Sequence, residues 1–432
     1  MKMNRKIKGL AFAALSLAVI FSSCGTPEYS GEGKLPGQSS SDFTDYSSYK
    51  ISPADVSSDF MRGVDASEVK ALEECGIKFY DDNDCQKDVF KIFAEHGVNW
   101  IRLRLWNDYT QALDDDWGPY GYNNLSRTID MAQRAKKYGM KVLLDFHYSD
   151  TWADPSSQKC PAAWSEITDK DELAEAVGAY TKEVLQEMID ADCPPDMVQL
   201  GNEMQGGLFA SNSSVTNAKS YTADYLKAAA VVVRNLLPDC QIMLHMSNGG
   251  KAAYLTTILN YASALGSDSD GNAYVDAIGV SYYSWYKSHG SDSDLKTNLQ
   301  KIKDSGYKAI IAENSFAYSN DAYTDNVSNT YYQSGTPTGE SKTMGVQTAL
   351  NLASYNKGTG IVDGQIDSSI ENQAGIMQYL MELCSSVDED GGYFYWGTAY
   401  LGCDGMSSAW ENQALFDADA KALPSLDVFS VE

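Results

Sequence analysis

Residues 125–147 read LSRTIDMAQRAKKYGMKVLLDFH, a helix pattern followed by a strand pattern. Apolar residues recur three and four positions apart over 125–138, which predicts an amphipathic helix. The run 141–147 is short and mostly apolar, which predicts a buried strand. A strand and an amphipathic helix in alternation are the repeating unit of a parallel sheet covered by helices.

The same alternation continues through most of the chain. Predicted strands cover 60–65, 99–105, 141–147, 197–200, 241–245, 277–283, 308–313 and 393–396. Predicted helices cover 89–96, 125–138, 171–189, 221–237, 252–265, 295–304 and 372–383. Eight repeats favour a closed (β/α)8 TIM barrel of the α/β class over an open sheet, and we expect one catalytic domain over 60–432. No GxGxxG or P-loop motif follows a strand, so nothing indicates nucleotide binding.

The N-terminus predicts export. Residues 1–9 are basic, and the apolar run 10–21 is too short to span a bilayer but has the layout of a signal peptide. It ends in Ser22-Ser23-Cys24, which resembles the bacterial lipobox, in which Cys24 becomes the lipidated first residue. We expect a lipoprotein signal over 1–23, with an ordinary signal peptide as the alternative, and a flexible tether over 24–59. The expected location is the bacterial outer membrane or cell surface.

Composition narrows the class of ligand. The 432 residues carry a formal charge of −26, which argues against nucleic acid because phosphate contacts need Lys and Arg. Such a charge suits an exported protein that acts on a neutral ligand. Seven cysteines follow Cys24, so at least one thiol is free, and one or two disulfides are possible. No CxxC pair indicates a zinc site.

Two glutamates end apolar strand patterns. Glu203 closes the run Val-Gln-Leu-Gly-Asn-Glu, and Glu313 follows Ile-Ile-Ala. Side chains at the carboxyl ends of barrel strands point into the mouth of the barrel, where two carboxylates supply the acid and nucleophile of glycosidic bond cleavage. Asn202, directly before Glu203, is placed to hold a sugar 2-hydroxyl. The alternative is that the two are solvated or helix-capping carboxylates.

Further polar and aromatic residues follow the second, third, sixth and eighth strands. His147, Tyr148, Asp150, Trp152 and Asp154 suit hydroxyl contacts and ring stacking in a sugar groove. Zinc is a weaker interpretation, since the chain has four His and no HxH or HExxH.

Alternation along the second strand puts Arg102 and Arg104 on one face. Such a pair of guanidiniums is a support for the ionised nucleophile or, alternatively, a salt bridge at the barrel floor. Trp396, Tyr282 and Tyr283 are candidate sugar platforms, with core packing as the alternative.

Five segments, in order along the chain, carry a resemblance to a known family: 63–69 (GVDASEV), 102–106 (RLRLW), 145–155 (DFHYSDTWADP), 201–203 (GNE) and 410–417 (WENQALFD). Together they resemble the arabinogalactan endo-β-1,4-galactanases of glycoside hydrolase family 53. The resemblance implies a (β/α)8 barrel that hydrolyses β-1,4-galactan, a pectin side chain, with retention and without a cofactor in the chemistry. It also implies Glu203 as acid/base and Glu313 as nucleophile, with Asn202, Arg102, His147 and Trp396 lining the −1 subsite.

The resemblance leaves calcium and substrate choice open. Some bacterial members bind calcium after strand seven, so Asp325, Asn326 and Asn329 are candidate Ca²⁺ ligands, although turn-forming composition alone gives the same pattern. The partners we expect are galactan and galactooligosaccharides, bound by a monomer. The alternatives are a hydrolase for mannan or xylan, and a non-catalytic surface glycan-binding lipoprotein. The presence of both Glu203 and Glu313 counts against the non-catalytic glycan-binding protein.

Overall fold

A computed structural model describes residues 43–108, 123–319, 347–348, 365–366, 368–401 and 411–431. The predicted Ca²⁺ ligands Asp325, Asn326 and Asn329, and the lipidation residue Cys24, lie outside these residues, as does the apolar run 10–21. Among the helices of the described part, none has the length and apolar character needed to cross a membrane.

Eight parallel strands close into a barrel, which confirms the predicted fold. Each strand pairs with its neighbours in chain order, and the last strand pairs with the first. Their bounds are β1 Met61–Asp65, β2 Trp100–Leu105, β3 Lys141–Phe146, β4 Met197–Leu200, β5 Gln241–Met246, β6 Ala277–Ser281, β7 Lys308–Asn314 and β8 Gly392–Tyr395. A separate two-residue pair, Gln347–Thr348 with Gln365–Ile366, is antiparallel.

Helices cover the outside of the barrel. Their bounds are α1 Val69–Glu74, α2 Val89–Glu95, α3 Leu125–Lys137, α4 Lys170–Asp190, α5 Thr222–Leu236, α6 Ala252–Leu265, α7 Asp292–Asp304 and α8 Ile370–Val387. Several begin at side chains that accept a hydrogen bond from the first turn, for example Asn124 at α3 and Asp169 at α4. The six-residue α1 was not predicted, because so short a helix has too few turns to show a period.

The inside of the barrel changes from apolar to polar along the strands. A buried apolar layer includes Met61, Trp100, Leu143, Met197 and Met243. Two residues further along four of these strands stand the buried polar side chains of Arg102, Asp145, Gln199 and His245. Successive inward residues are two apart in a strand, so the apolar layer closes the floor and the polar layer faces the mouth.

Gly63 shows how closely the floor is packed. A Cβ atom at this position would lie 2.2 Å from the ring of Phe394, which is fully buried on the neighbouring strand β8. Any side chain there would therefore have to displace the aromatic ring. The glycine lets the ring occupy the space between β1 and β8.

The segment 43–59 packs against the barrel, so the prediction of a flexible tether over 24–59 is wrong for these residues. Tyr46 donates a hydrogen bond to Asp417 Oδ2 (2.9 Å), and the Ala54 N–H donates to the Val428 carbonyl (3.0 Å). Ala54 itself is 5% exposed. The physical reason is that isolated aromatic and apolar residues, which show no period in the sequence, fill grooves on the surface of a completed domain.

Six cysteines lie in the described residues: Cys75, Cys85, Cys160, Cys193, Cys240 and Cys384. All six are free thiols, so within this part of the chain no disulfide forms. Four of them are buried. The described core is therefore held by packing, hydrogen bonds and buried ion pairs, without a covalent cross-link.

Candidate active site

The two glutamates face one cleft of about 480 Å³ at the carboxyl ends of the strands. Glu313 is the last residue but one of β7, and Glu203 lies three residues past β4. The turn from β4 to Glu203 uses left-handed backbone at Gly201 (φ 79°) and at Glu203 itself (φ 47°). A non-glycine residue in this region is uncommon and carries strain, and such strain is found most often at functional sites.

The two carboxyl groups share one hydrogen-bonding partner. The hydroxyl oxygen of Ser281, at the end of β6, lies 2.6 Å from Glu203 Oε1 and 3.2 Å from Glu313 Oε2. Carboxylate oxygens of the two residues lie within 4.8 Å of one another. This spacing suits the closely set carboxyls of retaining glycosidases, which are about 5–5.5 Å apart, and not the wider spacing that admits a water in inverting ones.

Arg102 holds the Glu313 side of the pair. Its guanidinium is completely buried and has five N–H groups, each of which is used. Nη1 contacts Glu313 Oε1 at 2.9 Å. The remaining acceptors are Gln199 Oε1 (3.1 Å), Asp65 Oδ2 (3.1 Å), Asp145 Oδ2 (2.8 Å) and Asn202 Oδ1 (3.0 Å). Arg102 therefore lies beneath the cleft as a fixed positive charge, and does not line the cleft as the sequence predicted.

Glu203 has a different electrostatic environment. Burial, and after it the negative charge of Glu313, raise the pKa of Glu203 well above its ordinary value, although the Ser281 hydroxyl acts in the opposite direction. Glu203 is therefore held in its protonated form while Glu313 pairs with Arg102. Two carboxyls with environments that differ in this way can take the roles of acid and nucleophile.

Tyr283 adds a third donor to Glu313, after Arg102 and Ser281. Its hydroxyl lies 3.0 Å from Glu313 Oε2, and the residue is 7% exposed and lines the cleft. Its neighbour Tyr282 is fully buried and donates to the Gly290 carbonyl, so it packs in the core. Of the two predicted tyrosine platforms, the structure brings only Tyr283 to the cleft.

Asn202 and His147 line the cleft as predicted. Asn202 Nδ2 donates to the Ala153 carbonyl (2.7 Å), which fixes the amide beside Glu203. His147 Nδ1 accepts from Trp106 Nε1 (3.3 Å) and from the Ala153 N–H (3.2 Å), so we assign its proton to Nε2. That nitrogen lies 3.2 Å from Asp145 Oδ2.

Trp152, in the loop after β3, and Trp396, directly after β8, meet in an aromatic wall of the cleft. Trp152 and Trp396 both line it, and the Arg104 guanidinium lies over their rings at 4.8 and 5.6 Å from the centroids. Arg104 pairs with Asp65 (2.9 Å) and with Glu68 (3.5 Å). The prediction that both arginines support Glu313 is therefore wrong for Arg104, which orders the tryptophans instead.

Two of the predicted sugar-contact residues in the 145–155 segment, Asp150 and Tyr148, do not line the cleft. Asp150, a predicted sugar ligand, accepts the Asp108 N–H at Oδ1 (2.9 Å) and the Ala162 N–H at Oδ2 (2.7 Å). Tyr148 is 1% exposed, and its hydroxyl forms a hydrogen bond with Thr181 Oγ1. Both side chains make their hydrogen bonds in the loops and core behind the site. The reason is that left-handed backbone at Tyr148 (φ 49°) turns the chain at the end of β3.

Sequence reasoning missed Ser281 and His245. His245 Nε2 lies 3.0 Å from Ser281 Oγ, and its Nδ1 lies 2.8 Å from Asn202 Oδ1. Burial, and next the charge of Arg102, lower the pKa of His245 well below its ordinary value, so the ring is neutral. For His245, its position two residues after the inward, apolar Met243 was an available signal. Ser281 follows Gly279 at the same spacing, which gives no such signal.

Glu203, His245 and Glu313 also offer ligand atoms close enough together for a metal ion, as do Asp82, His96 and Asp427. At the first group, the positive charge of Arg102 already pairs with Glu313. At the second, Asp427 and Asp82 contact opposite nitrogens of the His96 ring, at 2.9 and 3.3 Å, and one ion cannot bind both edges of an imidazole. Both groups fit ion pairs better than a metal.

A (β/α)8 barrel with two close glutamates at the ends of β4 and β7 is the architecture of a retaining glycoside hydrolase. Comparison with known proteins gives the family. Residues 61–363 and 347–429 match the family model described as glycosyl hydrolase family 53. The chain belongs to this family.

Two curated relatives and one solved structure show the extent of the similarity. The endo-beta-1,4-galactanase of Bacillus subtilis is 31% identical over 87% of this chain and 86% of its own length. The arabinogalactan endo-beta-1,4-galactanase of Cellvibrio japonicus is 30% identical over 86% and 91%. The Ignisphaera aggregans GH53 catalytic domain superposes with a TM-score of 0.72 at 34% identity, over 88% of this chain and 98% of that one.

Proposed function

We propose that the protein hydrolyses internal β-1,4-galactosidic linkages of galactan with retention of anomeric configuration. The observation that carries the proposal is the pair Glu203 and Glu313. Their carboxylate oxygens lie within 4.8 Å of one another, and only Glu313 contacts the Arg102 guanidinium. The galactan substrate is supported by the activities for which the relatives from Bacillus subtilis and Cellvibrio japonicus are named.

In the first half of the reaction, a Glu313 carboxylate oxygen attacks the anomeric carbon of the sugar in the −1 subsite. The bond from that carbon to the glycosidic oxygen breaks, and Glu203 transfers its proton to the departing oxygen. A glycosyl ester of Glu313 and a shortened galactan result. In the second half, Glu203 takes a proton from water, the water oxygen attacks the anomeric carbon, and the Glu313 carboxylate is released. No cofactor enters either half.

Residues around the pair are proposed to bind the sugar. Asn202 lies beside Glu203, where its amide can meet the 2-hydroxyl, and His147 faces the cleft from the end of β3. Trp152 and Trp396 offer apolar faces to the sugar ring, and Arg104 fixes their orientation. Binding over several subsites supplies transition-state stabilisation in a polymer-cleaving enzyme, so lactose-like disaccharides should be poor substrates.

The test is release of reducing ends from a panel of galactan, mannan and xylan, with Glu203→Gln as a control that keeps the shape of the side chain. We expect rapid release from galactan alone. Equal or faster hydrolysis of mannan or xylan would overturn the choice of substrate. Binding of galactan without release of reducing ends would indicate a glycan-binding lipoprotein instead of an enzyme.

We also propose that the protein is a monomer anchored to the outer membrane or cell surface through lipid on Cys24. The proposal is supported by the apolar run 10–21 and by Ser22-Ser23-Cys24 at its end. In the described part of the chain, the segment from residue 43 packs against the barrel, and the proposal assigns residues 25–42 to link the lipid to it. Size-exclusion chromatography with light scattering on the protein released from membranes tests the monomer.

A further inference from the structure

Ser281 occupies the centre of the proposed catalytic pair and is fully buried. Its hydroxyl oxygen lies 2.6 Å from Glu203, 3.2 Å from Glu313 and 3.0 Å from His245 Nε2. A serine hydroxyl has one hydrogen to donate and two lone pairs to accept with. It can therefore donate to only one of its three neighbours at a time.

The neighbours determine where that hydrogen points. His245 is neutral, and its Nδ1 lies 2.8 Å from Asn202 Oδ1 and 3.1 Å from Gln199 Nε2. The two hydrogens of Gln199 Nε2 go to the Gly201 carbonyl and to Asn202 Oδ1, so we assign the ring proton to Nδ1, which donates to Asn202. Nε2 is then an acceptor. While Glu203 is protonated, its own O–H donates to Ser281, and the 2.6 Å separation is typical of a short O–H···O bond. The Ser281 hydrogen is then available to Glu313 and His245.

We propose that Ser281 is a positioning residue whose hydroxyl rotates to donate to whichever glutamate is ionised in each half of the reaction. This inference rests on the proposed double displacement. Before the first step, Ser281 donates towards the Glu313 carboxylate. Once Glu203 has given its proton to the leaving group and Glu313 has become an ester, the charge is on Glu203, and the Ser281 hydrogen turns to Glu203 Oε1.

Rotation about the Cβ–Oγ bond is all that the exchange requires. No proton passes through Ser281, so the proton count of the reaction is unchanged. His245 Nε2 remains an acceptor on the third side and guides the rotation without itself ionising. The arrangement keeps one hydrogen bond on the charged carboxylate in both halves, which a backbone amide could not do for two residues in turn.

Substitution Ser281→Ala tests the proposal. A hydrogen bond to a charged group contributes enough that its loss should lower kcat/KM on galactan about 10- to 100-fold. The Glu203 anion loses its donor, so the alkaline limb of the kcat/KM profile should move about one pH unit upward. With an activated dinitrophenyl galactobioside, hydrolysis of the glycosyl ester in the second half of the reaction limits the rate. The kcat of Ser281→Ala on this substrate should fall as well.

Other ionisable groups around the pair and His245 stay in place in this variant: Arg102 from β2, Asp145 from β3, His147 directly after it, Asp154 from the following loop, His245 from β5 and Tyr283 after β6. A shift of the alkaline limb would therefore report the loss of the hydroxyl. Ser281→Cys, which keeps the shape and a weak donor, should give a smaller shift in the same direction. It serves as the measurement if the alanine variant does not fold.

Ser425→Ala is the matched control, because Ser425 is another fully buried serine, and its hydroxyl donates to Gln373 Oε1 away from the cleft. We expect it to lower stability and to leave both pH limbs unchanged. If Ser281→Ala behaves like this control, the rotating donor is refuted and the proposed function stands. If wild-type protein and every variant fail to cleave any β-1,4-glycan, the proposed function itself is refuted, and the role of Ser281 with it.

Discussion

The division of roles between Glu203 and Glu313 predicts opposite outcomes for two alanine substitutions. Glu203→Ala removes the acid and leaves the Arg102–Glu313 contact of 2.9 Å in place. The variant should still form the glycosyl ester from a nitrophenyl galactobioside, whose leaving group needs no proton. Glu313→Ala removes the nucleophile and should be inactive on both galactan and the aryl substrate.

The magnitudes follow from the two environments. General acid catalysis contributes about 10²- to 10⁴-fold to the rate, so Glu203→Ala should lower the rate on galactan by that factor. With the aryl substrate, the first half of the reaction should slow only a little. Glu313→Ala leaves one of five Arg102 contacts unmade in a fully buried site, which should reduce the free energy of unfolding by about 1.5–3 kcal/mol. The other four acceptors limit the loss.

Stability should move the other way for Glu203→Ala. The folded state raises the pKa of Glu203 above its ordinary value of 4.5, so ionisation of the carboxyl opposes folding as the pH rises above 4.5. Removing the carboxyl removes this penalty. The variant should therefore gain stability relative to wild type between pH 5 and pH 8, as measured by urea unfolding at each pH.

Azide identifies the face on which each glutamate acts. Added to Glu203→Ala with the aryl galactobioside, azide should attack the ester in place of the activated water and give a β-galactosyl azide, identifiable by proton NMR. Any azide product of Glu313→Ala should be the α-anomer. An α-azide from Glu203→Ala would show that the two roles are reversed or that the mechanism is inverting.

Four further outcomes are expected. Tyr283→Phe removes a donor to Glu313, so kcat/KM on galactan should fall about 10- to 100-fold; an unchanged kcat/KM would exclude this contact from the mechanism. Asp150→Asn should lower the proteolytic resistance of the loops that its carboxylate holds, with KM for galactan nearly unchanged; a large rise in KM would restore it as a sugar ligand. Burial lowers the pKa of His96, but its carboxylate partners raise it more, to about 9 overall. The stability that His96 contributes is therefore complete below pH 6.5 and is lost as the pH rises through 9. His96→Asn should lower the free energy of urea unfolding at pH 6 and leave it unchanged at pH 10. Cys24→Ala should abolish lipid labelling and release active protein from membranes, and retention on the membrane would indicate another anchor.

Local pattern was enough to predict the barrel. All eight strands lie within two residues of their predicted bounds, and β4 and the helix α6 match completely. These strands are short apolar runs buried on both faces, and the helices carry an apolar stripe, so each is recognisable without its neighbours. The positions of Glu203 and Glu313 at strand ends followed directly, since the carboxyl end of every barrel strand faces the same mouth.

Residue pairings within the mouth were decided by the tertiary structure. Alternation placed Arg102 and Arg104 on one face, but only the closed barrel determines that Arg102 meets Glu313 and that Arg104 meets Trp152 and Trp396. A local pattern determines which way a side chain points. It does not determine the stagger of one strand against another several strands away.

Ser281 is the clearest case of this limit. By itself it is one small polar residue at the end of an apolar strand, and nothing in its neighbours along the chain marks it. Closure of the barrel brings it between Glu203 on the β4 side and Glu313 on the β7 side, residues 78 and 32 positions away. The sequence by itself determined the fold and the two glutamates because both depend on local periods. Their shared partner arises from contacts that exist only once all eight strands are in place.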